Sequence, residues 1–367
     1  MGGERAWVEV DLGKIYKNVK KIKKFTGKKF LVSVKANCYG MGMVEISRKI
    51  ENIVDYFGVA TLQEAIELRE AGIKKKILVM GTILPEGVEE AVKNGITITL
   101  CNKEVLKEIR KAVKRLGKSA TVHIKLDTGM GRIGVKVEDF KDFLREVLKE
   151  KGIDMEGIFS HLATAEWKDR DYARWQINRF KKILKEIEGK VSFKFRHIEN
   201  SPAILNLKEE CRPFNLVRIG LLIFGVYPEK YLYRKLPLDF VLKGFTRIFF
   251  IKEVPKGTYL SYGISFCTKR KTRIATTGIG YGDGLRRHLS NRYSLRLKGK
   301  KARIIGNICM DQTLLDVTGE DVKLGDKVMV FGERFDIENM AQIVGTVPQE
   351  ILCGFGSKRM RKIYKNG

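Results

Sequence analysis

The chain has 367 residues, of which 44% are hydrophobic, and its formal net charge is +28 at pH 7. This length allows two domains with a large core, and no apolar run approaches the roughly 18 residues that a membrane-spanning helix needs. The N-terminal segment lacks the apolar stretch of a signal peptide, so we expect a cytoplasmic protein without a membrane partner. The six cysteines form no C-x-x-C pair and the four histidines are far apart in sequence, so no metal is expected.

The excess of positive charge has two interpretations. Most lysines are spread over predicted helix surfaces, which is typical of a solvated face and would attract anionic small molecules. No zinc finger, RNP motif or basic recognition helix is apparent, so no nucleic-acid partner is expected. A basic nucleic-acid binder remains the alternative from a different functional class.

The first two-thirds of the chain alternate short apolar runs with amphipathic segments. The predicted strands are residues 30–34, 56–60, 77–80, 96–100, 121–126, 155–160, 195–198 and 216–219. Helices lie between most of them, and the clearest begins at the capping box Thr61-Leu62-Gln63-Glu64. Eight strands with intervening helices favour a parallel (β/α)8 barrel, and an open doubly wound sheet is the structural alternative.

The pattern changes after about Gly225. Helical periodicity fades, and the β-rich runs 246–254, 272–277, 302–305 and 327–331 are separated by glycine and proline. The short run 7–10 also predicts a strand. We therefore expect an α/β protein with a barrel over residues 12–225 and a mostly-β C-terminal domain formed by residues 1–11 and 226–367.

Lys35 is the first candidate for chemistry, because it follows the apolar run 30–34 and opens the segment KANCYG. A charged ammonium at the end of a buried strand is costly to desolvate. A desolvated lysine loses its proton and becomes a nucleophile that can form a Schiff base with a carbonyl. A strand-end lysine that simply extends to solvent is the alternative interpretation.

Other polar residues follow the remaining predicted strands, at the end of a barrel where active sites lie. Asn200 and Ser201 come after the seventh strand, and Gly220 ends the eighth, where backbone N–H groups can approach a phosphate. The set is completed by Lys125 and Arg132 around the fifth strand and His161 after the sixth. A lysine nucleophile beside a phosphate site indicates pyridoxal 5′-phosphate (PLP).

Seven ordered segments of the chain resemble the bacterial alanine racemase family. They are VKANCYGMG (34–42), KLDTGMGR (125–132), HLATAE (161–166), RIGL (218–221), SYG (261–263), GYGDG (280–284) and CMDQ (309–312). The resemblance runs from Trp7 to Arg361. It implies a PLP-dependent isomerase, a homodimer with shared active sites, and interconversion of L- and D-alanine for peptidoglycan synthesis.

The resemblance also implies a role for each matched position. Lys35 would hold PLP and act as one base, and Tyr262 of the second subunit would act as the other. Both side chains have ordinary pKa values near 10, so each must be tuned downward to accept a proton at neutral pH. Arg218 would face the pyridine nitrogen, with His161 at the ring side supporting it.

The remaining residues would complete the site. The phosphate would be bound by Tyr39, Ser201, Gly220 and Leu221, with Asn200 beside them. The substrate carboxylate would be held by Arg132 and the backbone N–H of Met310. The supporting residues are Lys125, which matches a lysine carbamylated in several relatives, Asp311, and Tyr281, which resembles a gate residue.

One position departs from the family pattern, because Ser357 stands where relatives often have a tyrosine that reaches the phosphate. A serine leaves more room, so a serine racemase or a racemase of broad specificity is an alternative. A non-catalytic PLP-binding protein on the same barrel is another, although such proteins lack the domain that carries Tyr262 and Met310.

Overall fold

The computed structural model describes residues 4–366, which form two large sheets of different architecture and one small two-stranded sheet. The helices are α1 (Leu12–Thr26), α2 (Lys35–Tyr39), α3 (Met43–Ile50), α4 (Leu62–Glu70), α5 (Val88–Lys93), α6 (Lys103–Leu116), α7 (Phe140–Leu148), α8 (Asp171–Glu186), α9 (Ser201–Asn206), α10 (Asp336–Val344) and α11 (Pro348–Phe355). No helix within residues 4–366 is long and apolar enough to cross a membrane.

The strands follow the same chain-order numbering. They are β1 (Ala6–Asp11), β2 (Lys29–Ser33), β3 (Tyr56–Val59), β4 (Lys76–Val79), β5 (Thr97–Leu100), β6 (Ala120–Asp127), β7 (Val135–Lys136), β8 (Ile153–Phe159), β9 (Phe195–His197), β10 (Leu216–Ile219), β11 (Leu242–Val254), β12 (Tyr259–Leu260), β13 (Phe266–Cys267), β14 (Thr272–Thr277), β15 (Ser294–Leu297), β16 (Lys300–Ile304), β17 (Thr313–Asp316), β18 (Lys327–Phe331) and β19 (Arg361–Lys365).

The N-terminal sheet is a parallel barrel, and it confirms the predicted fold class. Its strand order is β10-β2-β3-β4-β5-β6-β8-β9, and every pair along this path is parallel. Backbone hydrogen bonds from Asn215 to Arg196 and from Arg218 to Glu199, both 3.0 Å, join the two ends of this path. Because parallel strands all point the same way, their carboxyl ends surround a single barrel mouth.

Local sequence signals explain where the barrel helices begin. The Thr61 side chain accepts from the Glu64 backbone N–H, and the Glu64 carboxylate returns to the Thr61 N–H, which is the predicted capping box of α4. Asn102 caps α6 in a similar way, and that helix ends at Gly117 with a φ of 63°.

The C-terminal sheet is antiparallel apart from one edge. Its order is β14-β17-β16-β15-β18-β11-β1-β19, and β11 also pairs with β14, so six of its strands close on themselves. The long strand β11 pairs with both β18 and β14, and its register shifts once in each of these pairings. The N-terminal strand β1 extends this sheet by pairing with β11 and β19. Helices α10 and α11 add two elements that the sequence pattern did not predict.

The C-terminal region touches the barrel mouth at a glycine–glycine contact. Gly40 follows α2 with a φ of 81°, and a side chain at this position would overlap the backbone of Gly356, just after α11. Only glycine permits both this left-handed backbone and this close approach. The contact therefore fixes the end of α11 against the segment that begins with Lys35.

We predict that Gly40→Ala destabilises the protein more than Gly27→Ala, which is a matched control. Gly27 has a φ of 64° but open space around it. Both variants carry the strain of a left-handed alanine, about 1–2 kcal/mol, and Gly40→Ala adds about 1–3 kcal/mol from the overlap with Gly356. Denaturant unfolding measures the difference, and equal losses in the two variants would show that the glycine contact contributes nothing.

Candidate active site

Lys35 stands at the barrel mouth on a left-handed turn. Four consecutive non-glycine residues after it, Ala36, Asn37, Cys38 and Tyr39, have φ values of 50–56°. Left-handed backbone costs roughly 1–2 kcal/mol per L-residue, so such a run persists only when its surroundings enforce it. The strain lies directly beside the candidate nucleophile.

Hydrogen bonds hold this turn in place. The Asn37 carboxamide oxygen accepts from the Met43 N–H at 2.7 Å, and the Asn37 carbonyl accepts from Gly42 at 3.0 Å. Glu64 adds a contact from outside the turn, because its carboxylate accepts from the Ala36 N–H at 2.6 Å as well as from the capped end of α4. One glutamate thus fixes the start of a helix and the backbone next to Lys35.

The surroundings of Lys35 favour its neutral amine. Burial lowers the pKa of Lys35, and the nearby positive charges of Arg132 and Arg218 lower it further. Burial likewise lowers the pKa of Lys125 to about 7, with help from the same two arginines. A lysine that acts as a base at neutral pH needs a lowered pKa, and nearby positive charge contributes to that lowering here.

Arg218 is buried among groups that only accept its protons. Its guanidinium contacts His197 Nδ1 at 2.9 Å and His161 Nδ1 at 3.0 Å, and donates to the carbonyl oxygens of Ser160 at 2.8 Å and Ile198 at 3.1 Å. Burial lowers the pKa of Arg218 to about 10, so the guanidinium is charged at neutral pH. Burial and the charge of Arg218 hold the pKa of both histidines well below the usual range.

The predicted phosphate residues lie together beside Lys35. The Gly220 N–H donates to the Ser201 hydroxyl at 3.1 Å, and a side chain at Gly220 would overlap the Tyr39 hydroxyl. Asn200 caps α9 by accepting from the Ala203 N–H at 3.2 Å, and Leu221 follows Gly220 directly. Burial raises the pKa of Tyr39 to about 12, so its hydroxyl is a proton donor at neutral pH.

Arg132 projects from a loop that is organised by Asp127. One carboxylate oxygen of Asp127 accepts from three consecutive N–H groups, those of Gly129, Met130 and Gly131, at 2.9–3.1 Å. This arrangement turns the chain back at the end of β6 and brings Arg132 close enough to lower the pKa of Lys35 and Lys125.

The C-terminal candidates form a separate exposed group. Tyr262, Met310 and Tyr281 are 71%, 52% and 44% exposed, respectively. Asn307 donates to the Tyr262 carbonyl at 2.7 Å, and the Tyr281 N–H donates to the Cys309 carbonyl at 2.9 Å, so residues around 307–310 connect them. Among residues 4–366, no hydrogen bond involves the Tyr262 hydroxyl, and none connects Tyr262 with Lys35.

Asp311 and Ser357 lie beside this exposed group. Asp311 forms an ion pair with Arg359, and its carbonyl accepts from Arg5 at 3.1 Å. Ser357 donates to the Gly282 carbonyl at 3.2 Å, next to Tyr281. Ser357 therefore connects the end of α11 to the loop that carries Tyr281.

Three features of the site were not predicted from the sequence. The capping box accounts for Glu64 only as a helix cap. Its carboxylate also accepts a hydrogen bond from the Ala36 N–H, next to Lys35. Cys353 lies close enough to Lys35 for each to affect the other's pKa. His197 contacts Arg218 although 21 residues separate them in the chain. Its position at the end of a barrel strand was the available signal.

Family models cover nearly the whole chain. The model described as "Alanine racemase, N-terminal domain" matches residues 10–228, and "Alanine racemase, C-terminal domain" matches residues 241–364. The chain belongs to the alanine racemase family. It is 42% identical to "Alanine racemase 2" of Caldanaerobacter subterraneus subsp. tengcongensis over 97% of this chain and 94% of that protein. It is 37% identical to an alanine racemase of Methanococcus maripaludis over 98% of each chain.

Solved structures of alanine racemases share the fold. The chain is similar to an alanine racemase of Clostridium difficile 630 with a TM-score of 0.93 and 34% identity, covering 100% of this chain and 97% of that one. It is also similar to the alanine racemase of Bacillus anthracis with bound L-Ala-P, with a TM-score of 0.89 and 34% identity, over 100% and 96% of the two chains.

The alanine racemase family is PLP-dependent, and the barrel mouth fits this cofactor. Two arginines and two lysines converge there: Arg132, Arg218, Lys35 and Lys125. Within residues 4–366, none of them forms an ion pair with a carboxylate. A bound phosphate and carboxylate would supply the missing negative charge. Gly220 allows the Tyr39 hydroxyl to approach the backbone beside Ser201, so two hydroxyl groups and a backbone N–H lie together for the phosphate, and Lys35 provides the amine.

We predict that Lys125 makes the stability of the cofactor-free protein rise with pH. An unfolded lysine keeps its proton up to about pH 10.4, whereas folding lowers the pKa of Lys125 to about 7. Between these values the unfolded chain binds more protons, so the penalty for burying the charge disappears as pH rises.

Denaturant unfolding of the wild type and of Lys125→Met in CO₂-free buffer measures this effect. The free energy of unfolding of the wild type should gain on that of the variant by up to about 1.4 kcal/mol per pH unit between pH 7 and 10. Parallel curves for the two proteins would contradict the predicted titration.

Proposed function

We propose that this protein interconverts L- and D-alanine with PLP as its cofactor. The observation that carries the proposal is the buried Arg218, which only donates hydrogen bonds, on one barrel mouth with a lysine of lowered pKa. Full-length similarity to alanine racemases supports the choice of substrate. We further propose that its D-alanine supplies peptidoglycan synthesis.

Arg132 is the residue that we assign to the substrate carboxylate. Its charge is free of carboxylate partners among residues 4–366 and it lies close to Lys35. A guanidinium binds a carboxylate through two parallel hydrogen bonds, which fixes the orientation of the substrate Cα. We propose that the backbone N–H of Met310 from the partner subunit completes this contact.

The proton at the substrate Cα is exchanged on two faces. Bound PLP withdraws electrons from the substrate and so makes this proton acidic. Lys35 Nζ, whose pKa is lowered by burial and by Arg132, accepts and returns a proton on one face. We assign the opposite face to the hydroxyl of Tyr262 from the partner subunit.

Arg218 is suited to racemisation because its guanidinium cannot accept a proton or a hydrogen bond. A guanidinium carries only donors, so it does not accept a proton from the pyridine nitrogen, and its own charge disfavours protonation there. A ring left unprotonated withdraws fewer electrons. The proton is therefore returned to the Cα with less competition from transamination.

Exposed apolar and aromatic side chains support a homodimer with shared sites. Tyr262, Ile264 and Met310 are exposed on the C-terminal domain, and Trp167 and Trp175 are exposed near the barrel mouth. Burying the first group against the barrel of a second copy would remove apolar surface from water. It would also bring Tyr262 to the mouth that contains Lys35.

Further roles remain proposals. We propose that Lys125, whose pKa of about 7 leaves a reactive neutral amine, is carbamylated and orients Arg132. Tyr281 and Asp311 would line the entrance at the dimer contact.

We also propose the domain division into 12–225 and 1–11 plus 226–367, which the pairing of β1 with β11 supports. Six free cysteines support a cytoplasmic location.

The serine at position 357 favours a racemase with a broader substrate range as the second candidate function. Ser357 contacts the Gly282 carbonyl and fills less space than the tyrosine that many relatives have there. Exchange of the Cα proton with solvent deuterium, measured on L-alanine and L-serine in parallel, decides between the two. Equal kcat/KM values would favour broad specificity.

We predict that Lys35→Ala removes both racemisation and the visible absorption band of covalently bound cofactor. The matched control is Lys29→Ala, because Lys29 begins the same strand but is exposed and pairs with Asp55. Absorption spectra and polarimetry of both variants give the comparison. A Lys35→Ala protein that keeps its band and its activity would overturn the assignment.

We predict that Tyr262→Phe lowers racemisation by about two to four orders of magnitude, the usual contribution of a general acid–base group. Proton exchange on the face served by Lys35 should continue, so one enantiomer should still exchange its Cα hydrogen with deuterium. Equal losses of exchange for both enantiomers would contradict the two-base assignment.

Mixed dimers of Lys35→Ala and Tyr262→Phe chains test whether the site is shared. Each parent variant is expected to be inactive, but a mixed dimer contains one site with both Lys35 and Tyr262 intact. Co-expression with two different tags should restore activity in the doubly tagged fraction. Activity that stays at the parental level would show that each chain forms its own site.

A further inference from the structure

A chain of buried polar side chains runs through the interior of the barrel. Arg218 contacts His197 Nδ1 at 2.9 Å, and His197 Nε2 contacts His123 Nδ1 at 2.9 Å. His123 Nε2 then faces a carboxylate oxygen of Glu156 at 3.7 Å. All four side chains are buried. We call these residues the buried polar chain.

The buried polar chain connects the two ends of the barrel. Arg218 lies toward the mouth, whereas Glu156 lies near the opposite end, where Tyr56, Lys76 and Thr97 begin their strands. Lys76 and Lys194 pair with one oxygen of Glu156, the latter at 3.4 Å. The other oxygen accepts from the Tyr56 hydroxyl and faces His123.

Because a guanidinium can only donate, the direction of each N–H donor in the buried polar chain is determined. Arg218 has no acceptor, so His197 Nδ1 must be unprotonated and His197 carries its hydrogen on Nε2. That hydrogen points at His123 Nδ1, so His123 in turn carries its hydrogen on Nε2. The last N–H dipole points at Glu156, where 3.7 Å is too long for a hydrogen bond but leaves a strong charge–dipole attraction.

Glu156 is ionised in this environment. Burial opposes its charge, but the contacts with His123, Lys76 and Tyr56 outweigh burial and lower its pKa. A fixed negative charge that faces His123, the last ring of the hydrogen-bonded series, polarises both histidine rings in the same direction. Polarisation of this kind makes His197 Nδ1 a better acceptor for Arg218.

We propose that Glu156 is a positioning residue for Arg218, acting through His123 and His197 from the opposite end of the barrel. This inference rests on the proposed function for its catalytic consequence, but not for its structural test. Glu156 touches neither substrate nor cofactor. It stabilises the single proton arrangement that holds the Arg218 guanidinium in place.

The chain has only four histidines, so ring-nitrogen NMR of ¹⁵N-histidine-labelled protein tests the proposal directly. The wild type should show one protonated and one unprotonated nitrogen in both His123 and His197. In Glu156→Gln, which keeps the shape but removes the charge, the ring signals of both histidines should shift. The exposed His288, on the C-terminal domain, is the internal reference.

Two further variants make the result specific. Tyr56→Phe removes a donor from the oxygen that faces His123, so the signals should shift in the opposite direction from those of Glu156→Gln. Glu146→Gln makes the same change of charge in a surface pair with Lys103 and should leave the four rings unchanged. Tyr56→Phe alone carries the test if Glu156→Gln fails to fold.

Kinetics give a second readout. Glu156→Gln should lower kcat about ten- to hundredfold, the order of loss expected when a mutation far from the chemistry displaces a catalytic group, with KM within about twofold because Arg132 is untouched. Shifts confined to His123, or absent from both histidines, would overturn the proposal. Shifted rings in a protein that does not racemise alanine would instead contradict the proposed function and leave the positioning intact.

Discussion

Convergence of positive charge at the barrel mouth is the constraint on which the rest of the site depends. Burial lowers the pKa of Lys35 and Lys125, and the nearby charges of Arg132 and Arg218 lower it further. No carboxylate within residues 4–366 forms an ion pair with any of the four groups. Such an arrangement is unfavourable until anions bind. The positive charge of the two arginines lowers the pKa of the lysine amines, and it also attracts a phosphate and a carboxylate.

The fold compensates for this repulsion with rigid local structure. A left-handed turn of four non-glycine residues fixes the backbone after Lys35, and Glu64 and Asn37 hold that turn by hydrogen bonds. Asp127 fixes the loop before Arg132 in the same manner. Strain and charge are both placed where the chemistry occurs, and the packed barrel supports them.

The architecture was predictable because each barrel strand is a short apolar run followed by a turn and a helix. All eight predicted barrel strands occur, and β10 has the predicted bounds. Strands of the C-terminal sheet were harder, because β15, β17 and β19 are only four or five residues long and at most half of their residues are buried. Helices α10 and α11 were missed because the surrounding residues suggested only strands.

The site was predictable only where a motif lies within one stretch of sequence. The resemblance around Lys35, Arg132 and Arg218 identified the groups at the mouth, and the barrel brings them together. The link between His123 and His197 is a long-range contact of a closed barrel, so no local pattern shows it. The left-handed turn escaped prediction because alanine, cysteine and tyrosine rarely adopt that backbone.

Borohydride reduction followed by peptide mapping tests the central claim most directly. Lys125 is the competing amine, since its pKa of about 7 leaves a large unprotonated fraction near neutral pH and it shares the mouth with Lys35. We expect the reduced cofactor on the peptide that contains Lys35, at one equivalent per chain. A label on Lys125, or no label on either lysine, would contradict the assignment of Lys35 as the residue that carries PLP.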